Sequence, residues 1–201
     1  MGIWGSGARA AATALAVFIS SMCCVQAHAG FPEPLRGDGK LTLFRPVKGE
    51  RMTFTYRDHD GLYVDEALDG IAHIFRCRLT DEVHPIDTEL IEMLDAIEDH
   101  FGAQEVRLIS AYRSPTRNAL MRRQGRRVAK KSLHMEGRAA DIEVPGASRY
   151  EVRDFAYALK QGGVGFYRNR PFIHIDTGDL RTWGFKPKAA GVRTKPAMSH
   201  K

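Results

Sequence analysis

Two short stretches of the chain hold residues whose types and spacing suit metal-assisted hydrolysis. In Ser132-Leu133-His134-Met135-Glu136-Gly137-Arg138-Ala139-Ala140-Asp141, an imidazole sits in a loop and a carboxylate falls inside an apolar strand. An unpaired buried carboxylate is very costly, so Asp141 needs a partner. Gly137 and Ala139 leave room for close backbone approach, and a cation shared by His134 and Asp141 would supply that partner. In Phe172-Ile173-His174-Ile175-Asp176, strand alternation puts Ile173 and Ile175 on one face and His174 and Asp176 on the other. With the isoleucines in the core, the His174–Asp176 face is expected to look into a cleft. Two histidines and one carboxylate with an open fourth position form a catalytic-zinc ligand set. The competing reading of the same spacing is a hydrogen bond between His174 and Asp176 and no metal. His59, His73, His84, His100 and His200 lie in polar settings and read as ordinary. Cys77, between two arginines, reads as a packed thiol.

The elements that must position these groups follow from hydrophobic periodicity. Leu41–Arg45 and Met52–Tyr56 alternate around Pro46-Val47-Lys48-Gly49 and predict a hairpin. Leu68, Ile71, Ala72 and Phe75 carry helical spacing, as do Leu90, Ile91, Leu94, Ile97 and Phe101 ahead of Gly102. Val106–Ser110 and Ala139–Val144 read as strands. Ser114-Pro115 opens a third helix, and Ser148 with Glu151 a fourth. Val164–Tyr167 and Pro171–Asp176 predict a last hairpin. The class is α+β: a small, mainly antiparallel sheet with helices packed to one side and the site in a cleft at the sheet.

The chain has 201 residues, 30 Lys and Arg against 24 Asp and Glu, and 43% hydrophobic residues. That excludes a largely disordered chain and a polytopic membrane protein. Residues 1–29 read as a secretory signal peptide: Arg9, an apolar run from Ala10 to Val25, then Ala27-His28-Ala29. The alternative is an uncleaved anchor, against which the short run argues. Cleavage leaves no stable membrane span and places the protein in the periplasm. Residues 30–40 read as an extended lead-in, 41–184 as the folded domain, and 185–201 as a disordered basic tail. The basic run from Arg117 to Lys131 lacks interleaved aromatics, so it reads as a solvated rim that attracts carboxylates rather than as a nucleic-acid surface. The sequence does not fix an oligomeric state.

Ser132-x-His134-x-x-Gly137-x-Ala139-x-Asp141 followed by a strand histidine resembles the zinc signature of the D-Ala-D-Ala metallopeptidase superfamily. Ser110-Ala111-Tyr112-Arg113-Ser114-Pro115, Asn118, Val128–His134, Gly162–Tyr167, Phe172–Gly178 and Arg181-x-Trp183 resemble its YcbK-like branch, the murein endopeptidase K type. The resemblance spans Leu41 to Gly184. It implies the fold shared with hedgehog-like domains, Zn2+ held by His134, Asp141 and His174, and Arg113 beside the substrate. The activity it implies is hydrolysis of crosslinks between peptidoglycan stem peptides. A D,D-carboxypeptidase and a non-catalytic, zinc-containing cell-wall-binding protein are the rivals. Many D,D-dipeptidases carry a glutamate as general base three residues before the last ligand; here that position is Pro171. Asp176 is the first candidate for the base, ahead of Glu136 and Glu143, or else it orients His174.

Overall fold

A computed structural model describes Met1, residues 36–126 and residues 128–187. The expected signal segment beyond Met1, residues 30–35 of the lead-in and residues 188–201 of the tail lie outside the described residues. Seven strands form one sheet in the order β2-β1-β3-β4-β6-β5-β7. They are β1 (Lys40–Arg45), β2 (Glu50–Thr55), β3 (Val106–Ser110), β4 (Ala139–Glu143), β5 (Gly163–Phe166), β6 (Ile173–Asp176) and β7 (Arg181–Trp183). Four pairings are antiparallel. The β1–β3 and β5–β7 pairs are parallel, so the sheet is mixed.

Helices α1 (Asp65–Phe75), α2 (Thr88–Phe101) and α4 (Arg149–Ala158) contribute to one hydrophobic cluster with alternate strand residues, among them Leu43, Leu108, Ile142, Val164 and Ile175. Local chemistry sets their ends. Asp87 caps α2 by accepting from Glu89 N at 3.0 Å, and Gly102 stops it in a left-handed conformation. Ser148 caps α4 by accepting from Tyr150 N. Helix α3 (Pro115–Arg123) is capped by Ser114 and buries only Asn118. It therefore stands apart from the core, and Arg122, Arg123, Arg126, Lys130 and Lys131 are exposed around it.

The packed body begins earlier and ends later than expected. Arg36 pairs with Glu92 at 2.8 Å, and Gly39 N donates to Asp95. At the other end, the Phe185 ring packs 6.3 Å from that of Tyr157. A composition rich in Gly, Pro and Lys marks these flanks as loops, but it cannot show which long-range partners hold them.

Two inward carboxylates of α2 support the sheet edge: Thr42 N donates to Glu98, while Gly39 N and Tyr56 Oη donate to Asp95. Burial pushes Asp95 up to about 6, with Asp38 and Asp99 adding to it and the bonds from Tyr56 and Gly39 opposing it. Burial also pushes Glu98 up to about 7. A carboxyl raised on folding binds its proton more tightly in the native state. The stability it contributes is complete below the unfolded value near 4 and is lost as pH rises through 6 to 7. Thermal melts are therefore expected to lose a few degrees between pH 5 and pH 8. The double variant Asp95→Asn, Glu98→Gln should flatten that slope.

Candidate metal centre

The strand pairing assembles the centre. Asp141 of β4 lies opposite His174 of β6, and His174 lies opposite Gly165 of β5. Gly165 in turn pairs with Trp183 of β7. This row sits on the sheet face away from the helices, because Ile142, Ile173, Ile175, Val164 and Phe166 fill the helix-covered face. His134 comes from one turn of 3-10 helix, Leu133–Glu136, closed by Gly137 with φ +67°. A Cβ at Gly137 would overlap the Pro85 carbonyl oxygen, so this turn requires glycine both sterically and conformationally. The register shift in β3 between Leu108 and Ser110 redirects residues 111–113 toward this turn. There, Arg113 N donates to the His134 carbonyl oxygen at 2.9 Å. His134 Nδ1 meets Ala111 O at 2.9 Å.

These bonds fix which ring nitrogens are free. With its Nδ1–H donated to Ala111 O, His134 presents the Nε2 lone pair, 3.6 Å from Asp141 Oδ1. His174 Nε2 faces Asp176 Oδ2 at 3.0 Å, leaving Nδ1 directed at Asp141 Oδ1, 2.9 Å away. One ligand atom from each of His134, Asp141 and His174 lies within 4.8 Å of the others. Two imidazole nitrogens and one carboxylate oxygen, all largely buried, fit a divalent cation with nitrogen and oxygen preference. Two other carboxylate groupings, Asp58-His59-Asp60 and Asp38-Asp95-Asp99, are largely exposed.

Burial lowers His134. Burial raises the Asp141 carboxyl, but His134 and His174 more than offset this and hold it well below the usual carboxylate range. Burial lowers His174, yet its bonds to Asp141 and Asp176 raise it overall.

Asp176 stands elsewhere than expected. It is fully buried, and its carboxylate accepts from His174, Gly163 N, Gly178 N and both terminal nitrogens of Arg181. Burial pushes it up, but His174, Gly178 N and Arg181 bring it down to about 2. It meets the imidazole at Nε2, the nitrogen opposite the one directed at Asp141. The alternation of β6 is as expected, but its polar face is covered, because β7 folds back alongside β5 and lays Trp183 and Arg181 over it. The Trp183 and His174 ring centroids are 5.0 Å apart. Glycines on β5 make this possible. A Cβ at Gly165 would overlap the Trp183 indole, and one at Gly163 would lie 2.6 Å from Asp176 Oδ2. The Gly163-x-Gly165 spacing was the available signal, since glycine in a strand marks close approach.

Arg113 is buried, and burial lowers its guanidinium while Asp141 and then Tyr167 raise it. Nη1 meets Asn118 Oδ1 at 3.3 Å, and Nε has no hydrogen-bond partner among the described residues. No described carboxylate pairs with Arg113. Glu136 is exposed, 3.7 Å from Arg138. Glu143 lies on β4 opposite Arg107, two residues beyond Asp141. The structure thus brings His134, Asp141 and His174 together and sets Asp176 behind them.

The sheet face away from the helices thus carries two imidazoles and a carboxylate that can hold a divalent cation, a set suited to metal-dependent hydrolysis. The chain belongs to the peptidase M15 family described as peptidoglycan L,D-endopeptidase MepK, which matches residues 36–183. It is 35% identical over 147 residues to the probable peptidoglycan L,D-endopeptidase MepK of Haemophilus influenzae, covering 72% of this chain and 78% of that protein. It is 37% identical over 144 residues to peptidoglycan L,D-endopeptidase MepK of Escherichia coli K12, covering 71% and 79%. No solved structure matches the chain. The protein is a peptidase, and its family implies a metal.

Proposed function

We propose that this protein is a zinc-dependent peptidoglycan endopeptidase that hydrolyses an L,D bond in crosslinks between stem peptides, in the periplasm. The observation that carries this reading is the convergence of His134 Nε2, Asp141 Oδ1 and His174 Nδ1 in a chain of the MepK family. Zinc, when bound, lowers the pKa of a water and polarises the scissile carbonyl. The chain's own residues do the rest. Ala111 and Asp176 hold the two imidazoles in the tautomers that free their ligating nitrogens. Arg113 carries a positive charge beside Asp141 and the His134 turn, where it stabilises a substrate oxygen that becomes negative. The exposed cations of α3 and the following loop attract carboxylates of the stem peptides. Among the described residues no helix is long and apolar enough to cross a membrane. Export by residues 1–29 remains the sequence reading.

The deciding experiment is digestion of purified crosslinked muropeptides with and without a chelator. Cleavage of the crosslink, lost with chelator and restored by zinc, is the expected result. Release of a terminal D-amino acid alone would favour the carboxypeptidase reading. No product at all would favour the non-catalytic one.

In this reading Asp176 orients His174 rather than taking a proton from water, a role supported by its bond to His174 Nε2 and its burial. Asp176→Asn keeps the shape but turns an amide toward Arg181 or His174. Zinc affinity is expected to fall about 10- to 100-fold, with turnover recovering as zinc is raised. Normal zinc affinity with slow turnover would return Asp176 to the role of general base.

A further inference from the structure

The hydroxyl of Tyr167 has no part in the metal site, yet the fold takes trouble to place it. Alternation along β5 puts Gly163, Gly165 and Tyr167 toward the metal centre, while Val164 and Phe166 are buried in the core. The two glycines let Trp183 lie across the strand. One end of its indole rests against His174, and Nε1 donates to Tyr167 Oη at 3.1 Å. The Tyr167 ring is held edge-on to Phe172, with centroids 5.6 Å apart. Its carbonyl oxygen accepts from Arg170 N and Arg149 Nη1. Ring and backbone are therefore fixed, although the residue is exposed.

A phenol has one proton to donate. Because Trp183 already donates to the Tyr167 oxygen, that proton must point to another acceptor, and no described residue provides one. Gly165 lies opposite His174, and Tyr167, two residues further on, packs against Phe172, two residues before His174. Tyr167 therefore stands beside His174 on the sheet face that carries the metal ligands.

We propose that Tyr167 is a further catalytic residue: its O–H, oriented by Trp183, donates a hydrogen bond to the substrate oxygen that becomes negative as the scissile carbonyl turns tetrahedral, alongside Arg113. This role rests on the endopeptidase reading. It involves no covalent step; the phenol keeps its proton and lowers the energy of a charge that exists only in the transition state.

Tyr167→Phe removes the hydroxyl and keeps the ring on Phe172. In the muropeptide assay kcat is expected to fall about 100-fold, the cost of losing one such donor. KM should stay within about twofold. Zinc content and Tm should match wild type. Trp183→Phe removes the orienting donor and should lower kcat several-fold, but the same change made in Tyr167→Phe should cost nothing more, because the two act as a unit. Zinc content is measured in each variant, since Trp183 also covers His174. A Tyr167→Phe enzyme with wild-type kcat, or with a change in KM alone, overturns the proposal while the endopeptidase reading stands. An inactive wild type in the same assay would sink both. Additive losses in the double variant would remove Trp183 from the argument and overturn the coupled mechanism.

Discussion

His174→Ala is expected to lose stoichiometric zinc and to cleave crosslinked muropeptides at least about a thousandfold more slowly than wild type. The size follows from what the residue does. Its Nδ1 is one of three candidate ligand atoms that converge among the described residues, and its Nε2 ties the centre to Asp176 and through it to Arg181. Removing the ring takes away a proposed ligand and one hydrogen-bond partner from each of two carboxylates, Asp141 and Asp176. His134→Ala deletes a ligand but leaves the Asp141–His174 contact in place, so it should lose zinc with a smaller change in Tm. Inductively coupled plasma analysis, thermal melts and turnover on the same samples check both variants. Full zinc retention in both would end the ligand assignment.

Arg113→Ala should keep zinc and Tm near wild type while turnover falls by about a hundredfold or more. The guanidinium is buried, its Nη1 donates to the Asn118 amide oxygen at 3.3 Å, and no described carboxylate pairs with it. Its removal therefore leaves no anion unpaired, which is the usual cause of a large stability loss. Arg113→Lys is expected to recover little, because an ammonium cannot reproduce the planar set of donors. A large drop in Tm with turnover unchanged would make Arg113 a structural residue tying β3 to α3.

Several elements of the molecule were legible residue by residue. The β1–β2 hairpin, β3, β4 and α1 to α4 appear where periodicity and capping residues place them, because apolar spacing and caps act within a few residues of one another. The 3-10 turn at Leu133–Glu136 and strand β7 were not visible, being three or four residues long and lacking a period of their own.

The sequence by itself determined which side chains can ligate. Histidine and aspartate at these spacings offer a nitrogen and oxygen set whatever surrounds them. Only the tertiary structure decided how those side chains are used. Asp176 shares a strand face with His174, as alternation requires, but its fate depends on Arg181 and on the glycines of β5, which come from other strands. Those strands bury it and surround it with donors, so a carboxylate that alternation alone would turn toward a cleft is enclosed behind an imidazole. The same holds for the parallel β5–β7 pairing that brings Trp183 over His174 and against Tyr167. Register between strands is fixed by the burial of whole faces and by where side chains are absent. Neither property belongs to any single stretch of chain.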